Sequence, residues 1–116
     1  MDLKNDTQFL IGKTLLQVCF GLYQLQLNFN DNVRIHVVDS IIYEDLNGAI
    51  YKWNFNDGRK PFPISNLIEL TITHANLSNN DLNLVFSNSE RLKIKSGEDN
   101  LESFMVYNGD DWQVCC

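Results

Sequence analysis

The chain of 116 residues lacks the features that mark membrane, secreted and metal-binding proteins. Its apolar runs are short, and none approaches the roughly 18 residues that a membrane-spanning helix needs. Residues 1–6 are polar and lead into no signal-peptide core. Only two histidines are present, and no CxxC or HxxxH spacing occurs. These absences predict a single cytoplasmic domain over 1–116, with no membrane contact, no metal and no cofactor.

Cysteine is scarce as well, with three residues in the chain. An odd number without a secretion signal argues against a disulfide framework. Cys19 stands in the apolar segment 15–20, whereas Cys115 and Cys116 close the chain. We therefore expect Cys19 to be a buried, inert thiol.

The motifs of catalysis are also missing. The six glycines are scattered and form no phosphate-binding loop before a helix. Paired carboxylates such as Glu44 and Asp45 stand beside turn residues, where exposure opposes the raised pKa that a general acid needs. His36 and His74 are isolated and fit the polar faces of strands. The sequence predicts no catalytic residue and a protein that is not an enzyme.

Basic residues are absent from the last part of the chain. All nine Lys and Arg lie in residues 1–95 beside ten acidic residues, whereas residues 96–116 hold five acidic residues and no basic one. The formal net charge of −6 argues against a nucleic-acid partner, because phosphate binding needs the opposite sign. A basic protein surface is the partner that this charge favours. Ordinary solubilising surface charge is the alternative.

Alternation of apolar and polar residues is the strongest pattern present, for example over residues 23–29, 33–37 and 82–86. Clusters of Asn, Asp, Gly and Ser interrupt it about every 8–12 residues, which is typical of a sandwich or barrel. The sequence therefore predicts a mainly β fold. We expect an antiparallel meander that forms a sandwich or a partly open barrel, with at most a short helix near 64–69.

The pattern of the meander occurs twice in the sequence. Residues 25–29 correspond to 82–86, and 34–37 correspond to 91–94, both at a shift of 57 residues. A repeated pattern indicates the architecture of the fold and does not indicate a catalytic or binding activity. It predicts two repeat units over about 10–55 and 67–115 within the single domain.

Aromatic residues accompany the acidic residues near the end of the chain. Core packing is the usual role of aromatic residues in small β domains. Exposed Tyr and Trp ringed by charge instead form hot spots for partner binding. The predicted partner-binding residues are Glu98, Asp99, Glu102, Tyr107, Asp110, Asp111 and Trp112.

Residues 82–94, followed by 100–104, resemble a family of small bacterial domains with no assigned activity, and residues 10–13 with 25–29 resemble the opening of that family. Ser89 stands where the family would have a turn glycine. Some similar small acidic proteins serve as immunity proteins beside secreted bacterial toxins. The resemblance thus implies a toxin-neutralising role, in which this chain masks a basic surface of a toxin domain, and it supplies no catalytic residues.

These observations favour a non-enzymatic protein-binding domain, a monomer or weak dimer. One alternative is a small-ligand-binding β domain, or a minor enzyme, with an interior pocket of convergent polar groups. A self-associating module that pairs through exposed strand edges is another.

Overall fold

The described residues form nine antiparallel strands. The computed structural model describes residues 7–21, 24–37, 40–54, 62–78, 81–95 and 104–108, with the backbone alone for residues 104, 105 and 108. The strands are β1 (Leu15–Phe20), β2 (Leu25–Phe29), β3 (Val33–Val37), β4 (Ser40–Glu44), β5 (Ile50–Asn54), β6 (Ile72–Ser78), β7 (Asp81–Phe86), β8 (Arg91–Lys95) and β9 (Phe104–Asn108).

The strands form two sheets packed face to face. One has four strands in the order β1-β2-β3-β9, and the other has five in the order β5-β4-β8-β7-β6. All pairs are antiparallel, and the sheets do not close into a barrel. The predicted mainly β sandwich is confirmed.

Helical structure within the described ranges is limited to two 3-10 helices, Gln8–Leu10 and Pro63–Leu67. The second matches the short helix expected near 64–69. It begins at a proline, whose fixed φ suits the first helical position. Neither is long or apolar enough to cross a membrane.

The core lies between the two sheets. Alternating positions of the strands are buried, as in β8, where Leu92 and Ile94 are inside and Arg91 and Lys93 are exposed. Among the described residues, twenty-one buried side chains form one contiguous hydrophobic cluster that includes Trp53. This cluster fills the space between the sheets and supplies the main driving force for folding.

The shift of 57 residues also relates backbone hydrogen bonds. Gly12 N donates to Ile72 O at 2.8 Å, and Glu69 N, 57 positions later, donates to Leu15 O at 2.7 Å. The β1–β2 ladder has an irregularity between Leu15 and Gln17, and the β6–β7 ladder has one between Ile72 and His74.

A local two-fold relation lies where the two sheets meet. Thr14 and Thr71 form an isolated antiparallel bridge, and their hydroxyl oxygens are 3.0 Å apart. Thr14 N donates to Asn30 Oδ1 at 2.8 Å, and Thr71 N donates to Ser87 Oγ at 3.3 Å. Because the two threonines are separated by 57 residues, each half meets the other through the same positions.

The sheets do not coincide with the two halves of the sequence. β9 comes from the second half but pairs with β3, and β4 comes from the first half but pairs with β8. Each sheet therefore contains strands from both halves, so neither half has a complete sheet of its own.

Candidate functional site

Of the predicted partner-binding residues, the structure describes Tyr107. It is half-buried on β9. The other six lie outside the described residues, so their role stays a prediction: Glu98, Asp99, Glu102, Asp110, Asp111 and Trp112.

Tyr107 packs against two basic side chains of β3. Arg34 lies opposite it in the β3–β9 register, with its guanidinium carbon 5.1 Å from the ring centroid. The His36 ring centroid is 4.8 Å from that of Tyr107 at an interplanar angle of 57°. The ring therefore belongs to a cluster on the outer face of the four-stranded sheet.

Cys19 lies on the same outer face, opposite Gln26 of β2. It is buried but does not belong to the core cluster, and it is disulfide-bonded. The prediction that Cys19 is an inert free thiol is therefore wrong. An odd number of cysteines argues against a disulfide framework, but three cysteines still allow one disulfide bond. Cys115 and Cys116 lie outside the described residues. The predicted cytoplasmic location stays a prediction.

The outer face of the five-stranded sheet is different, because it is open and concave. Its groove has a volume of about 610 Å³ and is lined by residues of all five strands. Since Leu92 and Ile94 of β8 point into the core, Arg91, Lys93 and Lys95 point to this outer face.

One row of side chains crosses the middle of this face. Lys93 pairs in register with Ile42 of β4 and Asn83 of β7. Lys52 of β5 extends the row on one side, and Asn76 of β6 extends it on the other. The row therefore offers two ammonium groups, one aliphatic side chain and two amides, with no acidic group.

A second row runs through Arg91. Glu44 of β4 and Val85 of β7 flank it. Ile50 of β5, which is 52% exposed, and His74 of β6 complete the row. Glu44 is the one acidic side chain in either row.

The cations of these rows outnumber the single acidic side chain. Lys95, at the margin of the face, forms a salt bridge with Asp81, Nζ to Oδ2 at 3.2 Å. Lys52, Arg91 and Lys93 form no salt bridge with a described residue. The groove therefore has a positive field over a partly apolar floor, although the chain as a whole carries −6.

This basic face was not predicted from the sequence. The available signal was the alternation of basic and apolar residues over 91–95, which puts all three cations on one side of a strand. Which strands lie beside β8 depends on the exchange of β4, that is, on its pairing with a strand of the other half. That pairing is not evident from the sequence.

Among the described residues, no group of three or more His, Cys, Asp or Glu side chains is placed to hold a metal ion. Comparison of the chain with protein-family models, curated proteins and solved structures found no match.

Proposed function

We propose that this protein is a non-enzymatic binding domain that docks an acidic, partly apolar protein segment in the groove of its five-stranded sheet. The observation that carries the proposal is the set of cations that form no salt bridge with a described residue, Lys52, Arg91 and Lys93. They lie beside the exposed Ile50 and two half-buried aliphatic side chains on an open concave face.

The chemistry of the groove selects the partner. Carboxylates of the partner pair with Lys93 and Arg91, and aliphatic side chains cover Ile42, Ile50 and Val85. Complementary charge of this kind speeds association and fixes the register of the bound segment. A nucleic acid is a poorer partner, because the net charge of −6 repels a polyanion outside the groove.

A designed peptide tests the groove directly. The probe is a fluorescein-labelled peptide that alternates glutamate with leucine, and fluorescence anisotropy reports its binding. We expect Lys93→Glu to weaken binding by about tenfold, since an attraction is lost and a repulsion gained, together about 1.4 kcal/mol. Added salt should weaken wild-type binding as well.

Lys13→Glu is the matched control for Lys93→Glu. It makes the same change in net charge at a site outside the groove, where Lys13 pairs with Asp31 at 3.0 Å. We expect it to bind the peptide like the wild type. Equal binding by wild type and Lys93→Glu, or tighter binding of a labelled single-stranded oligonucleotide than of the peptide, would overturn the proposal.

The second candidate is the role that the family resemblance implies, an immunity protein whose acidic residues 98–111 mask a basic toxin surface. Its support is the concentration of five acidic and no basic residues in 96–116. A secreted-toxin reading frame directly beside this gene would strengthen this candidate, and a neighbourhood with no such frame would argue against it.

A further inference from the structure

The outer face of the four-stranded sheet holds a buried arginine. Arg34 is 4% exposed, and the register of β3 places it between Asn28 of β2 and Tyr107 of β9. All five residues of β3 are buried, whereas β8, the corresponding strand of the other half, is buried on one face. The guanidinium of Arg34, which is always charged in proteins, therefore lies in a site with little access to water.

The hydrogen bonds around Arg34 are incomplete. Its Nε and Nη1 atoms are buried without a hydrogen-bond partner among the described residues. The neighbouring amides are engaged with one another, because Gln26 Nε2 donates to Asn28 Oδ1 at 3.0 Å and Asn28 Nδ2 donates to Gln17 Oε1 at 3.1 Å. A buried guanidinium with orphaned donors is costly unless an acceptor is supplied.

The other half of the molecule shows what Arg34 lacks. Arg91 stands 57 residues after Arg34, and its neighbour across the strand pair is Glu44. The corresponding neighbour of Arg34 is Tyr107. Among the described residues, the outer face of the four-stranded sheet carries no Asp or Glu. A carboxylate therefore faces the exposed arginine, whereas no described residue supplies one beside the buried arginine.

His36 lies on the same face as Arg34, two positions along β3. It is 5% exposed, and its Nε2 atom is buried without a partner in the described part of the chain. Burial lowers the pKa of His36, and the charge of Arg34 lowers it further. Gln26 and Tyr107 are its other described neighbours, and no acidic group faces it from β2 or β9.

We infer that Arg34 and His36, with the ring of Tyr107 as a wall, form a binding site for a carboxylate. The guanidinium supplies the charge, and the orphaned Nε and Nη1 donors of Arg34 and the Nε2 atom of His36 supply hydrogen bonds. One fixed cation matches a carboxylate monoanion better than a phosphate, which carries about −1.5 to −2 and would need further donors. The site lies on the opposite sheet from the groove and is independent of the proposed function.

The carboxylate has two possible sources, which an experiment can separate. One is a small carboxylate from solution. The other is an acidic side chain of this chain, and Asp110 and Asp111 are the nearest in sequence after Tyr107.

The test measures the pKa of His36 from the pH dependence of its imidazole Cε1–H signal by NMR. Wild type, Arg34→Met, Arg91→Met and Asp110→Asn/Asp111→Asn are each titrated in chloride and in about 0.1 M acetate. A carboxylate between Arg34 and His36 favours the imidazolium, so its binding raises the pKa of His36 by about one.

With a carboxylate from solution, acetate raises the pKa of His36 in wild type and in Arg91→Met but not in Arg34→Met. With a carboxylate from the chain, Asp110→Asn/Asp111→Asn lowers the pKa of His36 in chloride, and acetate restores it in that variant. The inference is overturned if the pKa is the same in chloride and acetate for wild type and for Asp110→Asn/Asp111→Asn, and does not differ between these two proteins.

Discussion

At the scale of single residues, Arg34 and Arg91 show how repeat-related positions can have opposite roles. They are 57 residues apart, and each lies on the outer side of the third strand of its half. Arg91 is exposed and faces Glu44, whereas Arg34 is 4% exposed and faces Tyr107. One arginine is a surface charge, and the other is a buried charge that opposes folding unless it binds an anion.

Arg34→Met should therefore stabilise the protein in a buffer without carboxylates. We expect the free energy of unfolding to rise by about 1–3 kcal/mol, since a buried, unpaired charge costs several kcal/mol. Loss of the cation–π contact with Tyr107 offsets about 0.5–1 kcal/mol of the gain in stability. Urea denaturation in chloride measures the change.

Arg91→Met is the control, because its charge is exposed. Its free energy of unfolding should change by no more than about 0.5 kcal/mol. If Arg34→Met lowered the stability instead, the guanidinium would already be satisfied within the fold, and the carboxylate site would lose its physical basis.

At the scale of elements, the crossing between the two sheets depends on one unusual backbone conformation used twice. Gly12 has φ +91° and Glu69 has φ +77°. Both residues donate their amides across the crossing, to Ile72 and Leu15 respectively. The chain needs left-handed backbone at this bend, and glycine provides it without strain in one half only.

Substitutions at these two positions should change the free energy of unfolding in opposite directions. Gly12→Ala should destabilise by about 0.5–1 kcal/mol, because the left-handed cost of about 1–2 kcal/mol exceeds the entropy that alanine saves in the unfolded chain. A Cβ at Gly12 meets no atom within 4 Å, so the effect is one of backbone alone. Glu69→Gly should stabilise by a similar amount for the converse reason.

The midpoints of urea denaturation for both variants check this pair. Glu69 is exposed, so its side chain contributes little to the comparison. A loss of stability in both variants would show that the crossing does not depend on the left-handed conformation at residue 69.

At the scale of the whole molecule, the exchange of β4 and β9 makes the two halves interdependent. Residues 1–58 contain β1–β5, but β3 then lacks β9 and β4 lacks β8. The remaining residues, 59–116, contain β6–β9, with the same two pairings missing. Unpaired strand edges and an uncovered core disfavour the folding of either half alone.

Two separately expressed fragments, 1–58 and 59–116, test this interdependence. We expect each alone to lack a cooperative thermal transition by circular dichroism, and an equimolar mixture to recover the β signal of the intact chain. A fragment that unfolds cooperatively by itself would show that its half has a sufficient core without the exchanged strand.

The sequence predicts the local structure well, for reasons visible in particular residues. Leu25, Leu27 and Phe29 alternate with polar residues, and this period of two identifies β2 and its buried face. The repeat at a shift of 57 places β7 and β8 in the same way. Alternation cannot show which strand lies beside β3, and so it cannot reveal that Tyr107 covers Arg34.

The sequence by itself determined the mainly β class, the short helix before β6 and the acidic balance, because periodicity, turn chemistry and charge are local or additive properties. The tertiary structure alone decided three other features: the exchange of β4 and β9 between the halves, the open basic groove, and the buried pair Arg34 and His36. Each depends on which segments meet in space. Neighbours that are distant in sequence, such as Glu44 for Arg91 and Tyr107 for Arg34, set the environment of a charge.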